Sequence, residues 1–222
     1  MHGKIIVIEG LDGCGKSTQL ELLRKRFTGC RFLTFPNYHS PAGEIVTEYL
    51  DGRIPDPDPA HSAYSASTFY AADRYISYRK DWYVDYTAGK HILSARYTTS
   101  NAIYQMTKLP PEEWDNYCSW LYDYEYTKLG IPAPDHVIFL DVPVEVSQRL
   151  LNERYAGGTG EKDIHEADPD YLRRCYTAAQ YAAKHDPYAK WHTIDCCEGG
   201  TLRSPESIQN ELAAKIAEIL GE

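Results

Sequence analysis

Short apolar runs separated by longer helical patterns organise this chain. The clearest run is residues 4–9, where Ile5, Ile6, Val7 and Ile8 form a continuous β-branched segment that predicts a buried strand. Similar runs recur at residues 31–35, 90–94, 136–140 and 191–194. The stretches between them carry apolar residues at helical spacing. Strands that alternate with helices predict a parallel sheet with helices on both of its faces.

The same pattern predicts the helices and loops that surround this sheet. Residues 18–27 follow a glycine-rich loop and have helical periodicity, and residues 204–220 predict an amphipathic closing helix. Residues 51–59 are rich in Asp and Pro, which predicts a surface loop. Residues 156–162 are glycine-rich and flanked by basic residues. We interpret the segment of about 152–167 as a lid, although a plain surface connection is the alternative.

The glycine-rich loop is the most informative motif. Residues 10–17, Gly-Leu-Asp-Gly-Cys-Gly-Lys-Ser, fit the spacing G-x-x-x-x-G-K-[ST] between a predicted strand and a predicted helix. In such a loop the backbone N–H groups and the helix N-terminus surround phosphate oxygens. Lys16 is expected to contact the β- and γ-phosphates, and the Ser17 hydroxyl to bind Mg²⁺. A glycine turn that binds nothing fits these flanks poorly, so the sequence predicts binding of a nucleoside triphosphate.

Length, charge and cysteine content narrow the class of protein. The chain has 222 residues, which suits one α/β domain, and a formal net charge of −9. This acidic balance argues against nucleic acid as the main partner. We expect no signal peptide and no membrane segment, because no stretch approaches about 18 apolar residues. The six cysteines lack C-x-x-C spacing, which favours free thiols in the cytoplasm.

Several spaced motifs together resemble the thymidylate (dTMP) kinase family. They are EGLDGCGKSTQ at 9–19, FP at 35–36, FYAADR at 69–74, RYTTSNAIYQ at 96–105, LDVP at 140–143 and KDIHE at 162–166. The resemblance implies a three-layer α/β/α fold with a central five-stranded parallel sheet, of the P-loop NTPase type. It implies one P-loop kinase domain over residues 1–222 and a homodimer, for which the aromatic helix around residues 64–86 is a conceivable contact surface.

The resemblance also implies ATP and Mg²⁺ as cofactors and assigns the groups that act on them. Arg96 would bridge the donor and acceptor phosphates, and Arg154 would clamp the transferring group from the lid. Lys16 and Asp12 complete the catalytic set. In the resembled family the carboxylate at the Asp12 position serves the nucleotide's 3′-hydroxyl or the metal site. Ser17 and Asp12 are therefore the predicted metal ligands, although Asp12 is also a good turn residue. The predicted ATP-binding residues are Gly10, Leu11, Asp12, Gly13, Cys14, Gly15, Lys16, Ser17, Thr18 and Arg149, the last by stacking on adenine.

For the acceptor base, the resemblance implies that Phe69 stacks on thymine and that Arg74 donates to a base oxygen. Asn101 can both donate and accept, which suits the imide edge of thymine, and Gln105 is a weaker candidate nearby. Without the resemblance, Phe69 on an aromatic-rich helix is more typical of the core than of a contact with a ligand. Arg74 is then typical of a solvated helix surface.

For the rest of the acceptor, Tyr104 resembles the tyrosine that packs under the deoxyribose and excludes a 2′-hydroxyl. Tyr38 corresponds to a position at which members of the resembled family carry an arginine or a tyrosine near the acceptor phosphate. A buried aromatic without a binding role is the alternative for Tyr104, because the chain contains 19 tyrosines.

The chain departs from the family at a position that bears on the metal. Members usually carry Asp immediately before the arginine that corresponds to Arg96, whereas this chain has Ala95. Asp12, Glu9 or Glu166 would then have to compensate, unless Ser17 and phosphate oxygens hold most of the metal.

A second departure lies inside the glycine-rich loop. Some members place an arginine there, where this chain has Gly13-Cys14. The lid must then supply the positive charge, with Arg154 as the first choice and Lys162 as the second.

The predicted reaction is transfer of the γ-phosphoryl group of Mg·ATP to dTMP, giving dTDP and ADP without a covalent enzyme intermediate. The alternatives are a kinase for another pyrimidine nucleotide or nucleoside, such as dUMP, and a P-loop module that uses nucleotide binding as a regulatory switch.

Overall fold

The computed structural model describes residues 2–55, 58–156 and 169–222. The strands are β1 (Ile5–Glu9), β2 (Arg31–Thr34), β3 (Ile92–Ala95), β4 (His136–Asp141), β5 (Lys190–Asp195), β6 (Cys197–Glu198) and β7 (Thr201–Leu202). The α-helices are α1 (Lys16–Arg26), α2 (Pro41–Leu50), α3 (Pro59–Ser77), α4 (Tyr83–Thr87), α5 (Thr98–Tyr104), α6 (Trp114–Tyr122), α7 (Val144–Ala156), α8 (Pro169–His185) and α9 (Pro205–Leu220). The π-helical segments Tyr78–Trp82 and Asp123–Lys128 extend α3 and α6, respectively, and 3₁₀ turns occupy Met106–Lys108 and Pro111–Glu113.

The five longer strands form one parallel sheet in the order β2-β3-β1-β4-β5. This confirms the predicted fold class, and all five strands lie at the predicted runs. The antiparallel pair β6 and β7 was not predicted, because strands of two residues carry no periodicity. Chain order reverses between β1 and β3, and ligands of open parallel sheets bind beyond the carboxyl ends of the strands at such a point. The glycine-rich loop therefore begins where the topology favours a site.

Alternate residues of β1 explain why its sequence is continuously apolar. Ile6 and Ile8 pack in a core that includes residues of α1 and α9, such as Leu23. Ile5 and Val7 pack on the opposite face, in a core that includes Trp82. Because neither face of this strand contacts solvent, its sequence is a continuous apolar run without alternating polar residues.

The predicted closing helix is confirmed as α9. The Ser204 hydroxyl accepts a hydrogen bond from the Ser207 N–H at 3.2 Å, which caps the first turn. No helix within the described parts of the chain is long and apolar enough to cross a membrane.

Two predicted loops are only partly visible. At the end of the loop predicted at 51–59, Asp58 accepts a hydrogen bond from the Ala60 N–H at 2.9 Å and so caps α3, while residues 56–57 lie outside the described ranges. Residues 152–156 form the end of α7, and the remainder of the predicted lid lies outside the described ranges. The lid stays a prediction.

Candidate functional site

A cavity of about 900 Å³ lies beyond the carboxyl ends of β1, β2 and β3. The glycine-rich loop lines one end of it, including Asp12 and Lys16. Residues of α3 and of α5, including Tyr104, line the other end. Arg96, which precedes α5, also belongs to the lining. Most of the predicted site residues are therefore brought together, and they are Asp12, Gly13, Gly15, Lys16, Ser17, Thr18, Tyr38, Arg74, Arg96, Asn101, Tyr104 and Gln105.

The glycine-rich loop wraps around its own lysine. The Lys16 ammonium donates hydrogen bonds of 2.8 Å to the carbonyl oxygens of Gly10 and Leu11, and the residue is buried. Gly15 adopts φ 91° immediately before α1, a left-handed conformation that a side chain disfavours. Ser17 lies in the first turn of α1 and is exposed. Both Lys16 and Ser17 line the cavity at the N-terminus of α1, where a helix favours bound phosphate.

Gly13 lies directly under α7. Its φ is 85°, and a Cβ built there would lie 2.7 Å from the Ser147 carbonyl oxygen and 2.9 Å from Leu151 Cγ. The Ser147 hydroxyl also donates a hydrogen bond to the Asp12 carbonyl oxygen. This contact leaves no room for a side chain at position 13 in the observed arrangement. An arginine at this position is thus incompatible with α7 as it is packed here.

Arg96 connects the two ends of the cavity. Its guanidinium forms an ion pair with Asp12 and lies 4.7 Å from the centroid of the Tyr104 ring. Arg96 adopts φ 66°, which is uncommon for a residue other than glycine. The Tyr104 hydroxyl donates to the Gly10 carbonyl oxygen at 3.1 Å. The structure thus places Asp12, Arg96 and Tyr104 in one cluster, and a phosphate that binds Arg96 must compete with the Asp12 carboxylate.

The position of Ala95 adjoins a buried carboxylate. Ala95 pairs with Ile8 across β3 and β1, and Glu9 is the next residue along β1. The fully buried Glu9 carboxylate accepts hydrogen bonds from Thr99 Oγ1 at 2.7 Å and from Ser100 Oγ at 2.8 Å. Burial raises the pKa of Glu9, and the charge of Arg96 opposes that rise. Hydroxyl groups of α5 already occupy this carboxylate, so it compensates poorly for a missing metal ligand.

The remaining donor set fits Mg²⁺. This ion prefers oxygen ligands and usually takes only one or two from the protein, with phosphate oxygens and water completing the octahedron. The Ser17 hydroxyl and the Asp12 carboxylate both line the cavity and supply oxygens of that kind.

On α3, Tyr70 rather than the predicted Phe69 belongs to the cavity lining that the described residues form. The Phe69 ring packs beside that of Tyr49, with centroids 6.0 Å apart, and Phe69 is absent from the cavity lining that the described residues form. Successive helix residues point about 100° apart, so Tyr70 can line the cavity while Phe69 packs against Tyr49. Tyr70 lies one turn before Arg74, and both line the cavity. The four-residue spacing between Tyr70 and Arg74 places both on one face of the helix, and this spacing is the feature of the sequence that could have identified Tyr70.

Arg74 is buried, so the alternative interpretation of Arg74 as a solvated residue on a helix surface is wrong. It is 2% exposed, and its Nε and Nη2 donate to the Glu125 carboxylate at 2.7 and 2.5 Å. Its Nη1 donates to the Tyr97 carbonyl oxygen at 3.3 Å. Sequence reasoning did not find Glu125, which belongs to the π-helical segment after α6 and to none of the motifs.

Two amide side chains of the α5 region lie beside this ion pair. Asn101 Nδ2 donates to Glu125 Oε1 and to the Ser67 carbonyl oxygen, both at 3.3 Å. Gln105 is also buried, and its Oε1 has no hydrogen-bond partner within the described part of the chain. Both line the cavity and so present polar groups to a ligand there.

The loop after β2 forms the rim near Tyr38. Asp73, next to Arg74 on α3, accepts hydrogen bonds from the Asn37 N–H at 2.7 Å and from Ser40 Oγ at 2.8 Å. This carboxylate holds the loop against α3. Tyr38 lines the cavity and is 51% exposed.

The predicted basic residues of the lid are not brought into the cavity by the described residues. Arg149 lies on the exposed side of α7, 4.0 Å from Glu153, and the described cavity lining does not include it. Arg154 belongs to α7, but its side chain is outside what the structure describes, as is Lys162. Glu166 likewise lies outside the described ranges. Their roles stay predictions.

Comparison with known proteins identifies the family. The family model described as "Thymidylate kinase" matches residues 8–218. The chain is 32% identical over 184 residues to a thymidylate kinase of Mycobacterium tuberculosis, covering 80% of this chain and 84% of the relative. It is 27% identical over 230 residues to a thymidylate kinase of Caenorhabditis elegans, covering 95% and 93%. A solved thymidylate kinase structure from Candida albicans shares the fold, with a TM-score of 0.69 at 20% identity, over 99% of this chain and 93% of that one. The chain therefore belongs to the thymidylate kinase family.

Proposed function

We propose that this chain transfers the γ-phosphoryl group of ATP to dTMP, giving ADP and dTDP. The observation that carries the proposal is the continuous cavity between the glycine-rich loop and the Arg74 region, with Arg96 lining it as well. A triphosphate bound at Lys16 and a monophosphate whose base lies near Arg74 would meet with their phosphates at Arg96. That arrangement suits a direct transfer between two nucleotides.

On the donor side, the backbone of residues 10–18 binds the triphosphate and Lys16 contacts its terminal phosphates. Mg²⁺, held by Ser17 and Asp12, supplies neutralising charge for the phosphate oxygens when it is bound. Arg149 stacks on the adenine. Asp12 and Arg96 would have to leave their ion pair for Asp12 to hold the metal and for Arg96 to bind the acceptor phosphate.

At the centre, Arg96 bridges the donor and acceptor phosphates and stabilises the charge that develops during transfer. An acceptor phosphate is already ionised near neutral pH, so the site needs no strong general base. Arg154 reaches the phosphates when the lid over residues 152–167 closes, and closure excludes water that would otherwise hydrolyse ATP. The packing of Gly13 under α7 supports this division of labour, because the charge cannot come from position 13.

On the acceptor side, Tyr70 stacks on the thymine ring in place of the predicted Phe69. Arg74 donates to a base oxygen, and Asn101 binds the imide edge with Gln105 nearby. Tyr104 packs against the deoxyribose, and Tyr38 lies near the phosphate at the rim. The burial of Arg74 and Asn101 supports this assignment, since a dry pocket strengthens each hydrogen bond to the base.

An ADP-release assay with Mg·ATP and a panel of acceptors tests this proposal. We expect dTMP to stimulate release most, with dUMP a poorer substrate, because one methyl group is worth only about 1–3 kcal/mol in a pocket. Stimulation by UMP, CMP or thymidine above that by dTMP would assign the chain to another pyrimidine acceptor. Slow ADP release that no acceptor stimulates would favour the regulatory switch.

The assembly proposed is a homodimer in the cytoplasm. Tyr75 and Tyr83 are 38% and 40% exposed, and Val84 is 74% exposed, so the region from α3 to α4 presents apolar surface. The six cysteines are free, which suits a reducing compartment. Light scattering on the purified chain tests the dimer, and a monomer at micromolar concentration would contradict it.

A further inference from the structure

A buried carboxylate joins two of the side chains that the proposed function assigns to the base. Glu125 Oε1 accepts from Arg74 Nη2 at 2.5 Å and from Asn101 Nδ2 at 3.3 Å. Its Oε2 accepts from Arg74 Nε at 2.7 Å and from Thr98 Oγ1 at 2.8 Å. Glu125 is fully buried and comes from a different segment of the chain than its partners. One carboxylate therefore fixes both side chains.

The carboxylate also determines which way round the Asn101 amide lies. The two acceptors beside the amide are Glu125 Oε1 and the Ser67 carbonyl oxygen, and only Nδ2 can donate to them. Turning the amide over would place Oδ1 against a buried carboxylate and another carbonyl oxygen, which is strongly unfavourable. Asn101 Oδ1 makes no hydrogen bond within the described part of the chain, and the residue lines the cavity. The side chain therefore offers an acceptor to a ligand.

We propose that Glu125 is a positioning residue that selects bases with an imide edge over cytosine by fixing Arg74 as a donor and Asn101 as an acceptor. This inference rests on the proposed function. Thymine and uracil present an N3–H donor beside an O4 acceptor, which complements Asn101 Oδ1 and the Arg74 guanidinium. Cytosine presents an unprotonated N3 and an amino group at the same positions, so both contacts oppose it. A freely turning amide would instead donate a hydrogen bond from its NH₂ group to cytosine N3.

The test is Glu125→Gln in the full-length chain, with kcat and KM measured for dTMP and dCMP and with dCMP also measured as an inhibitor against dTMP. A glutamine at 125 can offer its NH₂ group to Asn101 Oδ1, so only the Ser67 carbonyl oxygen then opposes the turned amide. We expect the dTMP-to-dCMP ratio of kcat/KM to fall by about tenfold or more. The loss should lie mainly in KM for dTMP, because Glu125 does not touch the reacting phosphates, and dCMP should inhibit more strongly.

Thr98→Val is the matched control. It removes one hydrogen bond to the same carboxylate, yet leaves Glu125, Arg74 and Asn101 in place. Its thermal stability should fall, while the dTMP-to-dCMP ratio should stay within about twofold of wild type. A ratio that changes equally in both variants would overturn the inference, since general loosening of the pocket would then explain the effect.

Glu125→Asp covers the case in which the glutamine variant does not fold. It keeps the charge that compensates Arg74, but its carboxylate is one methylene too short to hold Asn101 as well, so the ratio should also fall. A folded variant of either kind that keeps the wild-type ratio overturns the inference, and so does failure of both to fold, which would assign Glu125 to stability. Wild-type protein that dTMP does not stimulate would instead overturn the proposed function.

Discussion

The packing of Gly13 under α7 makes a quantitative prediction, because Gly15 in the same loop is a matched control. Both glycines have left-handed φ values, 85° and 91°, so an alanine at either costs about 1–2 kcal/mol in backbone strain. Only at position 13 does the new Cβ meet other atoms, at 2.7 Å from the Ser147 carbonyl oxygen and 2.9 Å from Leu151 Cγ. Nothing lies within 4 Å of a Cβ at Gly15.

Relief of that overlap requires α7 to shift away from the loop, since a backbone oxygen cannot rotate aside. Overpacking of this kind costs about 1–3 kcal/mol. Because 1 kcal/mol corresponds to about 2–4 °C in a chain of this size, Gly13→Ala should melt at least about 2 °C below Gly15→Ala. Differential scanning calorimetry of both variants without nucleotide measures the difference. Equal melting temperatures would refute the contact between α7 and the loop, and with it the argument that position 13 cannot carry the catalytic charge.

Three further predictions concern other parts of the structure. Tyr70→Ala should raise the KM for dTMP roughly tenfold in steady-state assays, because stacking is worth about 1–3 kcal/mol per base. Phe69→Ala should leave the KM for dTMP nearly unchanged, and the opposite order would assign the stacking role to Phe69. Arg154→Ala should lower kcat by about 10³ and raise the KM for dTMP far less, and a kcat within about twofold of wild type would remove Arg154 from catalysis. Burial lowers the pKa of both His136 and His192, so the unfolded chain binds more protons at these two sites, and their contribution to stability falls from pH 7 to pH 5. In urea unfolding His192→Gln should therefore lose less stability than wild type between pH 7 and pH 5, and an equal or larger loss in the variant would contradict the sign.

The sequence was sufficient for the sheet because β1 and its neighbours are buried on both faces. Burial on both faces forces continuous apolar runs such as 5–8, and these are visible without any long-range information. The glycine-rich loop was equally visible, since its glycines and lysine are consecutive in the chain. The pair β6 and β7 was missed because two-residue strands leave no pattern.

The acceptor end was harder to predict because it depends on helix phase and on distant contacts. The motif at 69–74 contains two adjacent aromatics, and only the turn-by-turn relation to Arg74 decides that Tyr70 faces the cavity. Glu125 lies 51 residues from Arg74 along the chain, in a segment that carries no motif. The contacts of Glu125 with Arg74 and Asn101 arise only from the folded arrangement, so the sequence alone did not reveal them.

The central claim is that one cavity brings a donor and an acceptor nucleotide together for direct transfer. The most direct measurement incubates the chain with Mg²⁺, γ-phosphate-labelled ATP and dTMP, and then separates the labelled products. The account predicts that label appears in dTDP at the rate of ADP release, and that Lys16→Ala abolishes most of this transfer. Label found only as inorganic phosphate, at a rate independent of dTMP, would contradict it.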